Sequence, residues 1–251
     1  MIKKRVVKLS EGSFPKHCRF ALVSDLHAQS PQRVIEMLRA EAPDYILLCG
    51  DIFEPLDGSC DEKNRSAFDL LFETPKIAPT FFVTGNHEDG GVHSGRRRWK
   101  REHSTIRRYT EENLKKIAQS GVYFLEDSCV LMDGMAFGGL CSGIILEGGV
   151  PNLKFLSAFS KVEAPKILLC HHPEYYNKYI RNLPIDLVVS GHAHGGQWRI
   201  FGRGVYAPGQ GIFPKYTSGL YENRLVVSKG LKKTIMPPRI FNSREIVIIE
   251  T

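Results

Sequence analysis

Eight side chains able to bind a metal or move a proton stand just beyond the ends of short apolar runs: Asp25, His27, Asp51, Asn86, His87, His171, His192 and His194. The densest cluster is Gly191-His192-Ala193-His194-Gly195-Gly196-Gln197, where two imidazoles lie two residues apart between glycines. Imidazole is the commonest metal ligand at neutral pH. The set offers carboxylate, imidazole and carboxamide donors and no thiolate, which suits first-row divalent ions such as manganese, iron or zinc. There are too many donors for one tetrahedral ion. Two ions sharing a bridging carboxylate would use them, and such a pair activates water and clamps both oxygens of an in-line displacement at phosphorus.

Taken singly, each residue has an ordinary explanation. An aspartate after a strand is usually a turn residue, and a buried histidine is usually a hydrogen-bonded core residue. Such explanations fail for five clusters in series, each closing an apolar run.

The runs that must position them are 20–24, 45–49, 80–84, 166–170 and 185–190. Between and after them, helical spacing is expected over 31–41, 63–73, 110–119, 152–159 and 175–181. Thr110 is a fitting N-cap for the third of these helices, and Gly121 a fitting stop. Strands alternating with helices predict a parallel sheet with helices on its faces. In open sheets of that kind, ligands bind outside the carboxyl ends of the strands. The second half adds short strands at 122–125, 129–132, 135–139, 198–201, 204–207, 219–222, 225–228 and 246–249. One domain over 1–251 is expected, with a basic insertion or lid at about 90–109.

Composition narrows the class. The chain has 251 residues, of which 42% are hydrophobic and 24% charged, near the averages of globular proteins. No apolar run approaches the roughly 18 residues of a membrane span. The N-terminus starts basic but has no apolar stretch behind it, so no signal peptide is expected. Six scattered cysteines without a CxxC pair argue against a zinc ribbon and for reduced thiols. A cytoplasmic protein is expected, with peripheral attachment to a membrane as the alternative. The net charge of +7 is local: residues 96–108 hold seven Lys or Arg against one acid, Glu102. That excludes a general nucleic-acid-binding surface. His17, His93 and His103 belong to no cluster and read as surface or loop residues.

The ordered motifs Asp25-x-His27, Gly50-Asp51, Gly85-Asn86-His87-Glu88, His171 and Gly191-His192-x-His194 resemble the signature of the calcineurin-like metallophosphoesterase family. The resemblance implies an α/β fold, a four-layer α-β-β-α sandwich of two mixed sheets flanked by helices, with a dimetal centre at the strand ends. It also implies roles. Asp25, His27 and His194 would hold the first ion, Asp51 would bridge, and Asn86, His171 and His192 would complete the second. His87 would contact the phosphoryl oxygen or protonate the leaving group. Gly195-Gly196-Gln197, Gly219-Leu220-Tyr221 and Pro237-Pro238-Arg239 are similar to a bacterial branch of small phosphoesterases that includes UDP-2,3-diacylglucosamine hydrolases. Many members of that branch carry an N-terminal anchor, which is not read here.

The expected activity is hydrolysis of a phosphate ester, first a phosphodiester, by a hydroxide activated between two divalent ions. Manganese is the first choice of metal, with iron or zinc as alternatives. The expected substrate is a phosphorylated small molecule or a lipid headgroup, contacted by Arg96, Arg97 and Arg98 and by His172, which otherwise reads as a surface residue. Two other readings are a nuclease that tracks a phosphate backbone with 96–108, and a catalytically silent binding module on the same scaffold. The second is disfavoured because the ligand set is complete.

Overall fold

The computed structural model describes residues 1–10, 14, 17–88, 109–142, 150–233 and 238–251. Its first sheet contains β1 (Ile2–Lys8), β2 (Arg19–Val23), β3 (Tyr45–Cys49), β4 (Thr80–Val83), β5 (Tyr123–Phe124) and the last strand, β16 (Arg244–Glu250). Their order is β1-β16-β2-β3-β4-β5. Only the β16–β2 pair is antiparallel. The second sheet contains β6 (Ser128–Met132), β7 (Met135–Leu140), β8 (Lys166–Cys170), β9 (Leu187–Ser190), β14 (Gly219–Tyr221) and β15 (Leu225–Val227), in the order β14-β15-β9-β8-β7-β6. Its two edge pairs are antiparallel and its centre is parallel.

Side-chain alternation explains how the sheets stack. Phe20, Leu22, Leu47, Phe81, Phe137, Ile167, Leu169 and Val189 point into one core between the sheets. Their neighbours Ala21, Val23, Ile46, Leu48 and Phe82 point to the opposite face. There they meet α1 (Gln32–Glu41), α2 (Asp61–Glu73) and α3 (Glu111–Ser120), which bring Val34, Leu38, Phe68, Leu71 and Ile117. On the far side of the second sheet, Leu168, Cys170 and Val188 pack against α4 (Leu153–Ser160) and a π-helical turn, Tyr176–Ile180. Strands covered on both faces are apolar throughout, which is why these runs are continuous in the sequence. The Phe81 and Phe137 rings stack across the sheets at 3.9 Å between centroids and 5°. The four layers are therefore helix, sheet, sheet, helix.

The expectation of a parallel sheet with helices on its faces is corrected in one respect. Each sheet meets helices on one face and the other sheet on the other. The basic N-terminal segment is also a full seven-residue edge strand, in register with β16 from Ile2–Arg244 to Lys8–Glu250. Its cations find acids: Arg5 lies 3.1 Å from Glu245 and Lys4 2.8 Å from Glu41. The 175–181 helix is reduced to the π-helical turn. Thr110 does cap α3, its hydroxyl accepting from the Asn113 amide, and Gly121 ends it at φ 86°. All six cysteines are free. Among the described residues no helix is long and apolar enough to cross a membrane.

Candidate metal centre

Five strand ends converge on one cleft, three from the first sheet and two from the second. Asp25 and His27 follow β2, Asp51 follows β3, and Asn86 and His87 follow β4. His171 follows β8, while His192 and His194 follow β9. Five of these residues leave their strands with left-handed backbone: Asp25 (φ 54°), His27 (52°), Asp51 (52°), His192 (62°) and His194 (45°). Non-glycine residues seldom adopt this conformation, and it collects at sites where the surroundings enforce it. The glycines between them are there for space. A Cβ on Gly191 would come within 2.6 Å of Asp25 Oδ2, and one on Gly50 within 2.5 Å of His171 Nδ1.

The donor atoms of the described residues form four groups whose members lie within 4.8 Å of one another: Asp25, His27 and His194; Asp51, His171 and His192; His27, Asp51 and His87; and His172, Glu174 and His192. Asp51 Oδ2 faces the first two groups, 3.3 Å from His171 Nε2 and 3.6 Å from His27 Nε2. Asp51 Oδ1 accepts from the His87 amide at 2.9 Å, and Asp25 Oδ1 from the His192 amide at 3.0 Å. Four buried atoms here have no hydrogen-bond partner: Asp25 Oδ2, His27 Nε2, Asn86 Oδ1 and His171 Nε2. Buried polar atoms are nearly always paired. The tautomer of His171 follows from chemistry: Nδ1 lies 2.8 Å from the Cys49 carbonyl, which can only accept, so Nδ1 carries a proton and in the neutral ring Nε2 presents the lone pair. Unpaired oxygens and nitrogen lone pairs facing one another fit divalent cations.

The electrostatics agree. Burial, then neighbouring imidazoles, hold His192 well below the usual histidine range; burial, then His27 and Arg239, do the same for His194. Both stay neutral, the form that ligates. Burial also lowers His27, against the pull of Glu54 and Asp51. His171 is the exception. Burial would lower it, but Asp51 and Asp25 outweigh that and carry it up to about 10. A cation at Nε2 would take the place of that proton.

Three carboxylates that the sequence reading did not single out support this set. Glu88 is fully buried and accepts four backbone N–H groups: Asp51 (2.9 Å), Ile52 (2.6 Å), Phe53 (2.9 Å) and Gly85 (2.8 Å). It ties the end of β3 to the end of β4. Burial and the Asp51 charge push it up to about 7 against those N–H groups. Glu54 uses both oxygens, Oε2 at 2.9 Å from His87 Nδ1 and Oε1 at 3.4 Å from His27 Nδ1. Burial alone would raise Glu54, but the two histidines hold it below the usual carboxylate range. Glu174 lies 3.2 Å from His172 Nδ1. In the sequence Glu88 stood only as the last residue of the motif Gly85-Asn86-His87-Glu88, without a role, and nothing marked Glu54 or Glu174. Two cations also reach the cleft: Lys232 Nζ is 3.3 Å from His27 Nδ1, and Arg239 Nη2 is 3.4 Å from His194 Nδ1.

His172 is not a surface residue. It is buried, bonded to Ser142 and Glu174, with its ring centroid 4.3 Å from that of His192. His17 is exposed, as expected. Arg96, Arg97, Arg98, His93 and His103 lie outside the described residues, as does the expected lid except for the buried Tyr109.

A sequence profile described as calcineurin-like phosphoesterase matches residues 18–196. The phosphodiesterase YaeI of Escherichia coli is 26% identical over 197 residues, covering 78% of this chain and 62% of that protein. A transmembrane protein with metallophosphoesterase domain from Danio rerio is 28% identical over 196 residues, 71% of this chain and 40% of its own. An uncharacterized metallophosphoesterase of Helicobacter pylori is 24% identical over 246 residues, 93% and 60% respectively. The chain thus spans between 40% and 62% of the length of these relatives. Among solved structures, TT1561 of Thermus thermophilus aligns with a TM-score of 0.49 at 16% identity, covering 70% of this chain and 82% of that one.

Proposed function

We propose that this chain, which belongs to the calcineurin-like phosphoesterase family, is a phosphodiesterase that works with two divalent cations. The observation that carries the reading is the set of four buried, unpaired donor atoms on Asp25, His27, Asn86 and His171, each just beyond a strand end. Asp25, His27 and His194 would hold one cation, Asn86, His171 and His192 the other, and Asp51 would serve both. Manganese is the proposed metal, since every donor is oxygen or nitrogen. Bound ions of this kind lower the pKa of water and neutralise charge on phosphoryl oxygens. Asn86 contributes an oxygen without adding negative charge.

The chain's own groups do the rest. His87 is fixed through Nδ1 by Glu54, which leaves Nε2 directed into the cleft, 4.0 Å from Asp51 Oδ2. Burial disfavours its charged form, but Glu54 and Asp51 together raise it above the usual range. Nε2 can then give a proton to the departing alkoxide, which needs one to leave. Lys232 and Arg239 supply donors to phosphoryl oxygens at the rim. A diester is favoured over a monoester by the named activity of the Escherichia coli relative. The substrate class is a phosphorylated small molecule or a lipid headgroup.

The test is turnover of bis-p-nitrophenyl phosphate against p-nitrophenyl phosphate with manganese added. Faster turnover of the diester, lost in Asp51→Asn, is expected. No turnover of either ester, or an Asp51→Asn variant equal to the wild type, would overturn the reading.

A further inference from the structure

The basic character is not confined to 96–108, as the sequence reading had it. Between 187 and 244 the chain holds nine Lys or Arg and a single acid, Glu222. This part builds two small hairpins, β10 (Arg199–Ile200) with β11 (Arg203–Gly204), and β12 (Tyr206–Ala207) with β13 (Gly211–Ile212). They are joined edge to edge: the Val205 amide donates to the Trp198 carbonyl at 2.9 Å and the Phe213 amide to the Val205 carbonyl at 2.8 Å. Residues 240–242 run alongside, where the Arg199 amide donates to the Ile240 carbonyl at 3.1 Å. The whole platform is mounted on the metal centre, because Asn242 Nδ2 donates to the His194 carbonyl at 2.7 Å and to the Gln197 carbonyl at 3.1 Å.

Three phenylalanines project from it. Phe201 is 101% exposed, Phe213 77% and Phe241 90%. All three have left-handed backbone, with φ of 46°, 50° and 52°. A hairpin turn that needs two left-handed residues normally takes Asn-Gly; here the pair is Phe201-Gly202. The positions therefore carry a bulky apolar ring where a small polar residue would sit with less strain, and no neighbour covers it. Ile200 and Ile212, 58% and 72% exposed, extend the apolar surface around these tips. Contiguous exposed apolar surface of this kind marks an interaction site.

We propose that this platform docks the protein on an anionic lipid bilayer, with Phe201, Phe213 and Phe241 inserted at the boundary of headgroups and acyl chains. Charge selects this occupant. The exposed cations on the segments that carry the rings are Arg203, Lys215 and Lys233, and those segments, 198–217 and 229–244, contain no carboxylate. Apolar rings flanked by basic residues bind an anionic interface through both buried apolar area and attraction to headgroups. Phe201 and Phe241 line one open hollow with Arg199 and Ile200, and projecting rings around such a hollow suit a fluid surface that closes over them. The inference does not depend on the proposed hydrolysis.

The experiment is flotation with vesicles of phosphatidylglycerol and phosphatidylethanolamine, against vesicles of phosphatidylcholine alone. The wild type is expected to float with the anionic vesicles and to be released by high salt. The triple variant Phe201→Ser, Phe213→Ser, Phe241→Ser is expected to bind at least about tenfold more weakly. It should keep the wild-type circular dichroism spectrum and the wild-type turnover of a soluble ester. Leu131→Ser, an exposed apolar residue on β6, is the control and should bind like the wild type. A wild type that stays with the soluble fraction, or a triple variant that floats equally well, would overturn the proposal. So would a wild type that dimerises through these rings in gel filtration and ignores the vesicles.

Discussion

Asp25, His27, Asp51, His192 and His194 in the cleft share a left-handed backbone with Phe201, Phe213 and Phe241 on the platform. The two regions hold it by different means. In the cleft the surroundings determine the conformation. Glu88 gathers four amides, Asp25 accepts from the His192 amide, and Gly50 and Gly191 leave no room for a Cβ. On the platform only the backbone of the hairpins and of the 240–242 stretch does so, and the rings are largely exposed. In the cleft, then, the residue type and the fold depend on each other. On the platform the fold does not require the residue type, so something outside the chain must account for it.

That contrast can be broken from either side. Asp51→Asn should lose stoichiometric metal and more than about a hundredfold in kcat/KM, since removing a ligand should exceed the cost of removing a supporting partner. The platform triple variant should keep both. Equal losses in the two would show that the platform is part of the active centre. Glu88→Gln comes next. Its amide cannot accept at both ends, so two of four buried N–H groups lose their partner. Metal affinity measured by titration should fall by about 10- to 100-fold, and the urea midpoint should drop by the equivalent of about 2 kcal/mol. An unchanged midpoint would mean that those amides are not held by the carboxylate. Glu54→Gln is milder. The amide oxygen can still accept from His87 Nδ1, but the charge that favours the protonated ring is gone. A fall in kcat of about tenfold with KM nearly unchanged is expected; a rise in KM alone would assign Glu54 to substrate binding.

How much of this could be read from the sequence follows the same division. The doubly covered strands were legible because Tyr45–Cys49 and Lys166–Cys170 are apolar almost throughout. The eight residues were legible because each follows such a run, and seven of them, all but Asn86, fall in groups whose donor atoms lie within 4.8 Å of one another. Apolar runs do not say what covers each face, so the second sheet in place of a second helical layer could not be read from periodicity. The edge strand Ile2–Lys8 was missed because its cations interrupt any apolar run; their acids, Glu41 and Glu245, lie far along the chain. Glu54, Glu88 and Glu174 act on backbone and imidazole partners, a relation that spacing alone does not encode. The left-handed phenylalanines were hidden for a plainer reason: nothing in Ile200-Phe201-Gly202 distinguishes a projecting ring from a strand residue.

The smallest expected effect is the sharpest on the platform. Left-handed backbone costs a residue with a Cβ roughly 1–2 kcal/mol, and asparagine recovers part of that by bonding locally. Phe201 makes up the first half of a two-residue turn and is fully exposed, so Phe201→Asn removes no packing. The substitution should therefore leave stability unchanged or raise it by up to about 1 kcal/mol, read from the urea midpoint at constant slope. The corresponding change in the cleft, Asp25→Asn, keeps the favoured backbone type but removes the charge facing His194 and the unpaired Oδ2. It should abolish metal retention whatever it does to stability. A Phe201→Asn variant destabilised by more than about 1 kcal/mol would mean that the ring packs within the folded chain, and the contrast between the two regions would fall. A stabilised variant that no longer floats with anionic vesicles would show a position kept for its contact with lipid at the expense of the fold.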